Sequence, residues 1–233
     1  MPQVSSPDVA ALAFFLLAWL GYSRIIVRGH GGRLGLNLLM DSYRADWMRE
    51  MALRDMRMVD SGIMVSLQNG TAFFASTSVF AIGGAVAMLR GSSDAIKVFS
   101  DFSFGLAPQP GLFELKAVGL LIIFGYAFFK FAWSYRLFNF TAMLIGATPA
   151  RTAPDTAARD RMAARAAAMA SAAGRHFSHG QRAFFFALAY LGWFLGPLAL
   201  IAMTAAVVTV MWLRQFHSDA REALFPPEEE GPA

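Results

Sequence analysis

Between Ser61 and Leu89 the chain reads SGIMVSLQNGTAFFASTSVFAIGGAVAML, a run without a single Asp, Glu, Lys or Arg. As a helix rising about 1.5 Å per residue, such a run is longer than the roughly 30 Å hydrocarbon core of a bilayer. It is not a uniform greasy rod. Ala72, Ser76, Val79, Gly83 and Ala87 recur at steps of three and four, so one helical face is nearly all small. In lipid, where apolar side chains gain nothing by leaving the solvent, helices associate through such faces because the backbones approach closely. The run reads as the central helix of a membrane bundle, with Ala72, Ser76, Gly83 and Ala87 as packing positions. Its most polar cluster is Gln68, Asn69 and Thr71, suited to hydrogen-bonding a neighbouring helix or to lining a polar pathway in an oligomer.

Three further apolar runs share the chain. Hydrophobic residues make up 56% of it and charged residues 15%, well below the roughly 25% usual for a soluble domain. Spans are expected at about 9–27, 62–89, 112–133 and 183–213, which makes an all-α integral membrane protein, a four-transmembrane-helix bundle forming one domain over 1–233. The opening residues MPQVSSPD lack the basic n-region of a cleaved signal, so the first run is expected to remain as a span. Glu114, Lys116 and Lys130 sit within two turns of the ends of the third run, where long side chains snorkel. Gly192, Gly196 and Pro197 are expected to bend the last run, and the tail 219–233, ending in PPEEEGPA, is expected to be polar and mobile.

Two other segments have the balance of interfacial helices. Residues 41–60 alternate an apolar stripe of Met40, Tyr43, Trp47, Met51 and Met58 with many charges. Such a helix lies at a membrane surface with Arg toward anionic headgroups. Arg44, Trp47, Arg49, Arg54 and Arg57 are the expected headgroup contacts, joined by Lys130 and Arg136 at the end of the third run. The interleaved acids make local ion pairs the first role of this charge run. Residues 155–177 are alanine-rich and carry Arg159, Arg161, Arg165 and Arg175; this helix is expected to end at Gly174 or shortly after.

Six arginines fall between the first and second spans, seven between the third and fourth, and only Arg90 and Lys97 between the second and third. The positive-inside rule then places the first and third connectors in the cytoplasm and both termini outside, in a bacterial inner membrane.

Chemistry is harder to find. The absence of cysteine excludes disulfides, thiolate metal sites and cysteine nucleophiles. GHGGRLG at 29–35 lacks the Gly-Lys-Ser/Thr of a phosphate loop and reads as a turn, and His30 has no partner. His176 and His179 lie three apart but lack a third ligand. No Gly-x-Ser-x-Gly, no His-Glu-x-x-His and no pair of acids within a span is present. No enzyme activity, cofactor, metal or nucleic-acid partner is expected, and the aromatics sit inside apolar runs rather than on a basic face.

Several blocks together resemble a known family. RDMRMVDSG at 54–62, FFAST at 73–77 with Gly83 and Gly84, Glu114 and Lys116, AFFKFAWSYRLFNF at 127–140, IGATP at 145–149 and RAFFFALAYLGWF at 182–194 resemble the bacterial membrane family called domain of unknown function 599. Where that family's pattern carries Asn-x-Gly before the last span, this chain has HFSHG at 176–180, which argues further against a histidine-based function. The resemblance implies a multispan membrane protein and no activity. The expected role is an accessory or scaffolding subunit, packing as a homo-oligomer or within a larger membrane complex; the alternative is a homo-oligomeric channel or transporter for a small ion or solute, lined by the second span.

Overall fold

The structure, a computed structural model, describes residues 5–28, 36–91, 110–216 and 223–224. The Gly-rich stretch with His30, most of the middle connector and nearly all of the tail lie outside the described residues. Those described form six helices: α1 (Ser6–Arg28), α2 (Leu36–Leu53), α3 (Met58–Arg90), α4 (Pro110–Ala147), α5 (Thr156–Leu195) and α6 (Pro197–Phe216). Four stretches are long and apolar enough to cross a membrane: Ser6–Arg24, Met58–Arg90, Gly111–Ala147 and Pro197–Phe216.

The helix ends are set by local chemistry. Ser5 caps α1, its hydroxyl bonded to the Asp8 carboxylate while the Asp8 backbone N–H donates back to it, a reciprocal capping box. Asp155 caps α5 by accepting from the Ala158 N–H at 2.7 Å. The end of α4 is closed from outside. The Arg57 guanidinium donates to the carbonyls of Ile145, Thr148 and Pro149 at 2.9, 2.6 and 2.8 Å, placing a cation where the helix dipole is negative.

The axis of the molecule is the antiparallel pair α4 and α5, its most extensive contact. Helix α3 lies along α4, α6 folds back along α5 and reaches α1, and α2 packs across α5. Cores are stacked along this axis. At one end Phe15, Phe113, Leu120, Phe186, Trp193 and Leu200 join α1, α4, α5 and α6. At the other, Met48, Met51, Met64, Phe138, Ala166 and Ala170 join α2, α3, α4 and α5. Between them Phe131 is fully buried against Ala127 and Ala183, with Phe74 stacked on it.

Four expectations are corrected. First, α3 is not the central helix. It touches its neighbour through one narrow seam, Met64, Thr71, Ser78 and Ala85, buried at every seventh position. The Thr71 and Ser78 hydroxyls return to their own helix at Leu67 and Phe74, so the seam stays small and satisfied. Second, the alanine-rich helix does not stop at Gly174. A Cβ there would lie 2.6–2.9 Å from the Arg44 guanidinium, so the glycine lets α2 lie close against a continuous α5. Third, the run 183–213 is two helices. Gly196 has φ +140° and ψ 168°, a conformation essentially reserved for glycine, and Pro197 starts α6 in the opposite direction. Fourth, 41–60 is not one helix. It breaks after Leu53 and restarts at Met58, and Leu39, Met48, Met51 and Ala52 face the protein while Met40, Tyr43 and Met58 are exposed.

Candidate functional site

Polar side chains gather at three levels of the α4–α5 axis. At the foot, Asp60 is fully buried; one carboxylate oxygen accepts from the Trp47 indole and from the Arg54 guanidinium, each at 2.7 Å. Its other oxygen is buried without a partner. Beside it Arg57 closes α4 as described. Trp47, Arg54 and Arg57, expected at lipid headgroups, are thus turned inward to join α2, α3 and α4. A burial of this kind holds only when the charge is paired, since an ion stripped of water loses several kcal/mol.

At the head, the Trp193 indole donates to Asp8 at 2.7 Å, and the Lys116 ammonium donates to the Trp193 carbonyl at 2.7 Å while lying 5.2 Å from the indole centroid. That carbonyl belongs to the last turn of α5, so Lys116 does for α5 what Arg57 does for α4.

The middle level differs. Here α5 carries Arg175, His176, His179 and Arg182, with Lys130 on α4 and Arg214 on α6. Burial, with Arg182, Lys130, His176 and Arg175 around it, holds the His179 imidazole down at about 4, and His176 is lowered by burial, Lys130 and Arg175. The pair is therefore neutral at pH 7. Their rings are 6.4 Å apart on one continuous helix, and no three His, Asp or Glu converge among the described residues.

Arg182 is the centre of this level. Only 6% of it is exposed, and it makes no hydrogen bond or ion pair among the described residues. It lies between two openings. One, of about 180 Å³, is lined by Tyr22, Asn37, Ser178, Gln181, Arg214 and Gln215 together with apolar neighbours. The second, of about 250 Å³, adds Asp41, Arg44, Arg175 and His179. Asp41 is engaged by Arg44 at 2.7 Å and Arg175 at 3.4 Å. Among the described residues that line the first opening there is no carboxylate, and one of them, Gln215, has its amide nitrogen buried without a partner.

The other expected positions fall as follows. Gln68 donates to Asn139 on α4 at 2.8 Å, Thr71 is inside the seam, and Asn69 is exposed. Ser76, Gly83 and Ala87 face outward with Ala72 half-buried at their edge, and nothing lies within 4 Å of a Cβ built on Gly83. Arg49 pairs with Asp46 on the surface. Arg136 lies over Trp133 and Phe140, and Lys130 over Tyr126. Sequence reasoning passed over Arg182, Gln215 and Asn37, since only Arg182 is charged and it was counted as part of a connector. Its place inside RAFFFALAY, one residue from buried Ala183, was the available signal.

A family model described as "Protein of unknown function, DUF599" matches residues 10–220. No curated protein and no solved structure matches the chain.

Proposed function

The chain belongs to the DUF599 family of proteins of unknown function, and from that premise we propose that it is a non-catalytic, multi-pass protein of a bacterial inner membrane, an accessory or scaffolding subunit. The observation that carries this reading is the outward stripe on α3. Ser76, Gly83 and Ala87 are exposed, on a helix whose opposite seam is already occupied by α4. A small face turned outward in lipid is a surface on which another helix can lie at close range.

The same reading gives α5 a pass of its own. Its 40 residues extend about 60 Å, twice the hydrocarbon thickness. The part from about Ala183 onward is enclosed by α1, α4 and α6, so it need not be as apolar as a lipid-facing helix. The part before Arg175 projects with α2 into the cytoplasm as a helical foot. Trp133, Lys130, Arg136, Arg175 and Arg214 then mark the inner headgroup level. Five passes leave the N-terminus outside and bring the end of α6 to the cytoplasmic side, in place of two outer termini. The geometry supports this, because Asp8 lies beside Trp193 while Gln215 lies beside Tyr22, at opposite ends of α1.

The test is Gly83→Leu in the full-length protein, extracted gently and weighed by native mass spectrometry. The expected result is a fall in assembled mass, whether from a homo-oligomer or from a larger complex. An unaltered mass removes α3 as the packing face. The channel reading rests on exposed Asn69; its companion Gln68 is engaged by Asn139. Solute flux in liposomes that responds to Asn69→Ala would favour it instead.

A further inference from the structure

We infer that the opening around Arg182 binds a phosphate oxyanion. Three observations converge on it. Arg182 is buried to more than nine-tenths, and no described carboxylate forms an ion pair with its guanidinium, whose electrostatic neighbours are the phenols of Tyr22 and Tyr126. Buried cations are paired in folded proteins, because an unpaired one forfeits its hydration without return. Gln215, a residue 9% exposed, lines the same opening, and its amide nitrogen is a second buried donor without an acceptor. Around these two stand Arg214, Asn37, Ser178 and Gln181, all able to donate a hydrogen bond, and among the described residues lining this opening there is no acid, Asp41 lining the adjoining one.

The opening measures about 180 Å³, against the roughly 10–15 Å³ that one water needs on the same measure, so a tetrahedral oxyanion and its bridging waters fit. The planar guanidinium presents paired N–H groups that match two oxygens of one phosphate, which a point charge does not. A neutral carboxamide adds a third donor without adding charge. Histidine contributes no cation at pH 7, because His179 in the adjoining opening is neutral. The same chemistry serves a free phosphate from the cytoplasm or the phosphodiester of an anionic lipid whose headgroup reaches the opening; basic pockets between helices at this level are where such headgroups dock. This inference concerns α1, α2, α5 and α6 and stands whether or not α3 is an oligomer contact.

The experiment uses the purified full-length protein and thermal unfolding as readout. One arm compares inorganic phosphate with chloride at equal ionic strength. The other compares phosphatidylcholine nanodiscs with and without phosphatidylglycerol. Saturating phosphate is expected to raise Tm by several degrees in the wild type if the anion is free; a rise confined to phosphatidylglycerol nanodiscs assigns the site to a lipid headgroup. Either rise is expected to vanish in Arg182→Met and to shrink in Gln215→Met. Arg182→Lys, which keeps the charge and loses the fork, covers the case in which Arg182→Met does not fold, and is expected to weaken the response at least tenfold in midpoint concentration. No rise in either arm, or a rise equally large in the Arg182 variants, overturns the inference.

Discussion

The two ends of the α4–α5 axis and its middle are built on opposite electrostatic plans. At each end a buried carboxylate accepts a tryptophan N–H at 2.7 Å, and a cation donates to carbonyls at a helix C-terminus. Charges there are matched to acids, indoles and carbonyls within the chain. At the middle, Arg182 shares one opening with Arg214 and the other with Arg44 and Arg175, with Asp41 already held by Arg44 and Arg175. At the ends each buried carboxylate has an indole and each cation an acceptor, one Asp60 oxygen alone being left over, whereas the Arg182 guanidinium has no ion-pair partner among the described residues. The lesson is that a buried charge is informative by its partner: when the partner is in the chain the charge is a joint, and when it is missing the charge marks a place for something else.

That contrast can be broken. The largest effect is expected from Asp60→Ala, which strands the Trp47 N–H and Arg54 at a fully buried position. Breaking a buried pair lowers stability by about 3 kcal/mol here, since Arg54 keeps part of its water contact. For a chain of this size that is about 6 °C or more in Tm, read by thermal unfolding in detergent. A drop below about 2 °C means the foot is not held by this carboxylate.

Arg182→Met sharpens the comparison from the other side. Replacing a buried, unpaired cation with an apolar chain of similar length is neutral or stabilising. With no anion present, Tm is expected to hold or rise. A fall as deep as that of Asp60→Ala would make Arg182 one more joint and dissolve the distinction.

The smallest effect belongs to Arg49→Ala. Its pair with Asp46 is largely exposed, 72% and 51%, where water screens the attraction. Stability is expected to change by less than about 0.5 kcal/mol. A larger loss, seen in the same unfolding assay, would show that surface charge on α2 carries more of the foot than the buried contacts do.

The helical class and the apolar runs were legible because length and charge exclusion act locally. Four stretches apolar enough to cross a membrane lie where a sliding count of charged residues finds them, save that the last begins at Pro197 and not at 183. What the sequence hid was pairwise. Nothing local distinguishes Gly174, where Arg44 presses against α5, from a glycine that ends a helix. The small stripe of α3 was visible, but the face that meets α4 carries Thr71 and Ser78, equally small, and only the register against α4 decides between them. Arg57 looked like any surface arginine because its three acceptors are carbonyls some ninety residues away. The candidate site failed to appear for the same reason: it is defined by an arginine without an ion-pair partner among the described residues, the nearby Asp41 being taken by Arg44 and Arg175, and a neighbourhood is a property of the fold.

The turn at Gly196 has a consequence for how the protein is made. The stretch from Ala183 to Leu195 follows a buried arginine and lies outside the four helical stretches that are long and apolar enough to cross a membrane. It is joined to Pro197–Phe216 by a single residue, so on the five-pass reading proposed above the two are expected to enter a bilayer together as a hairpin. Gly196 is the hinge that lets them do so, and a side chain there would oppose closure of that hairpin during synthesis as well as strain the finished fold.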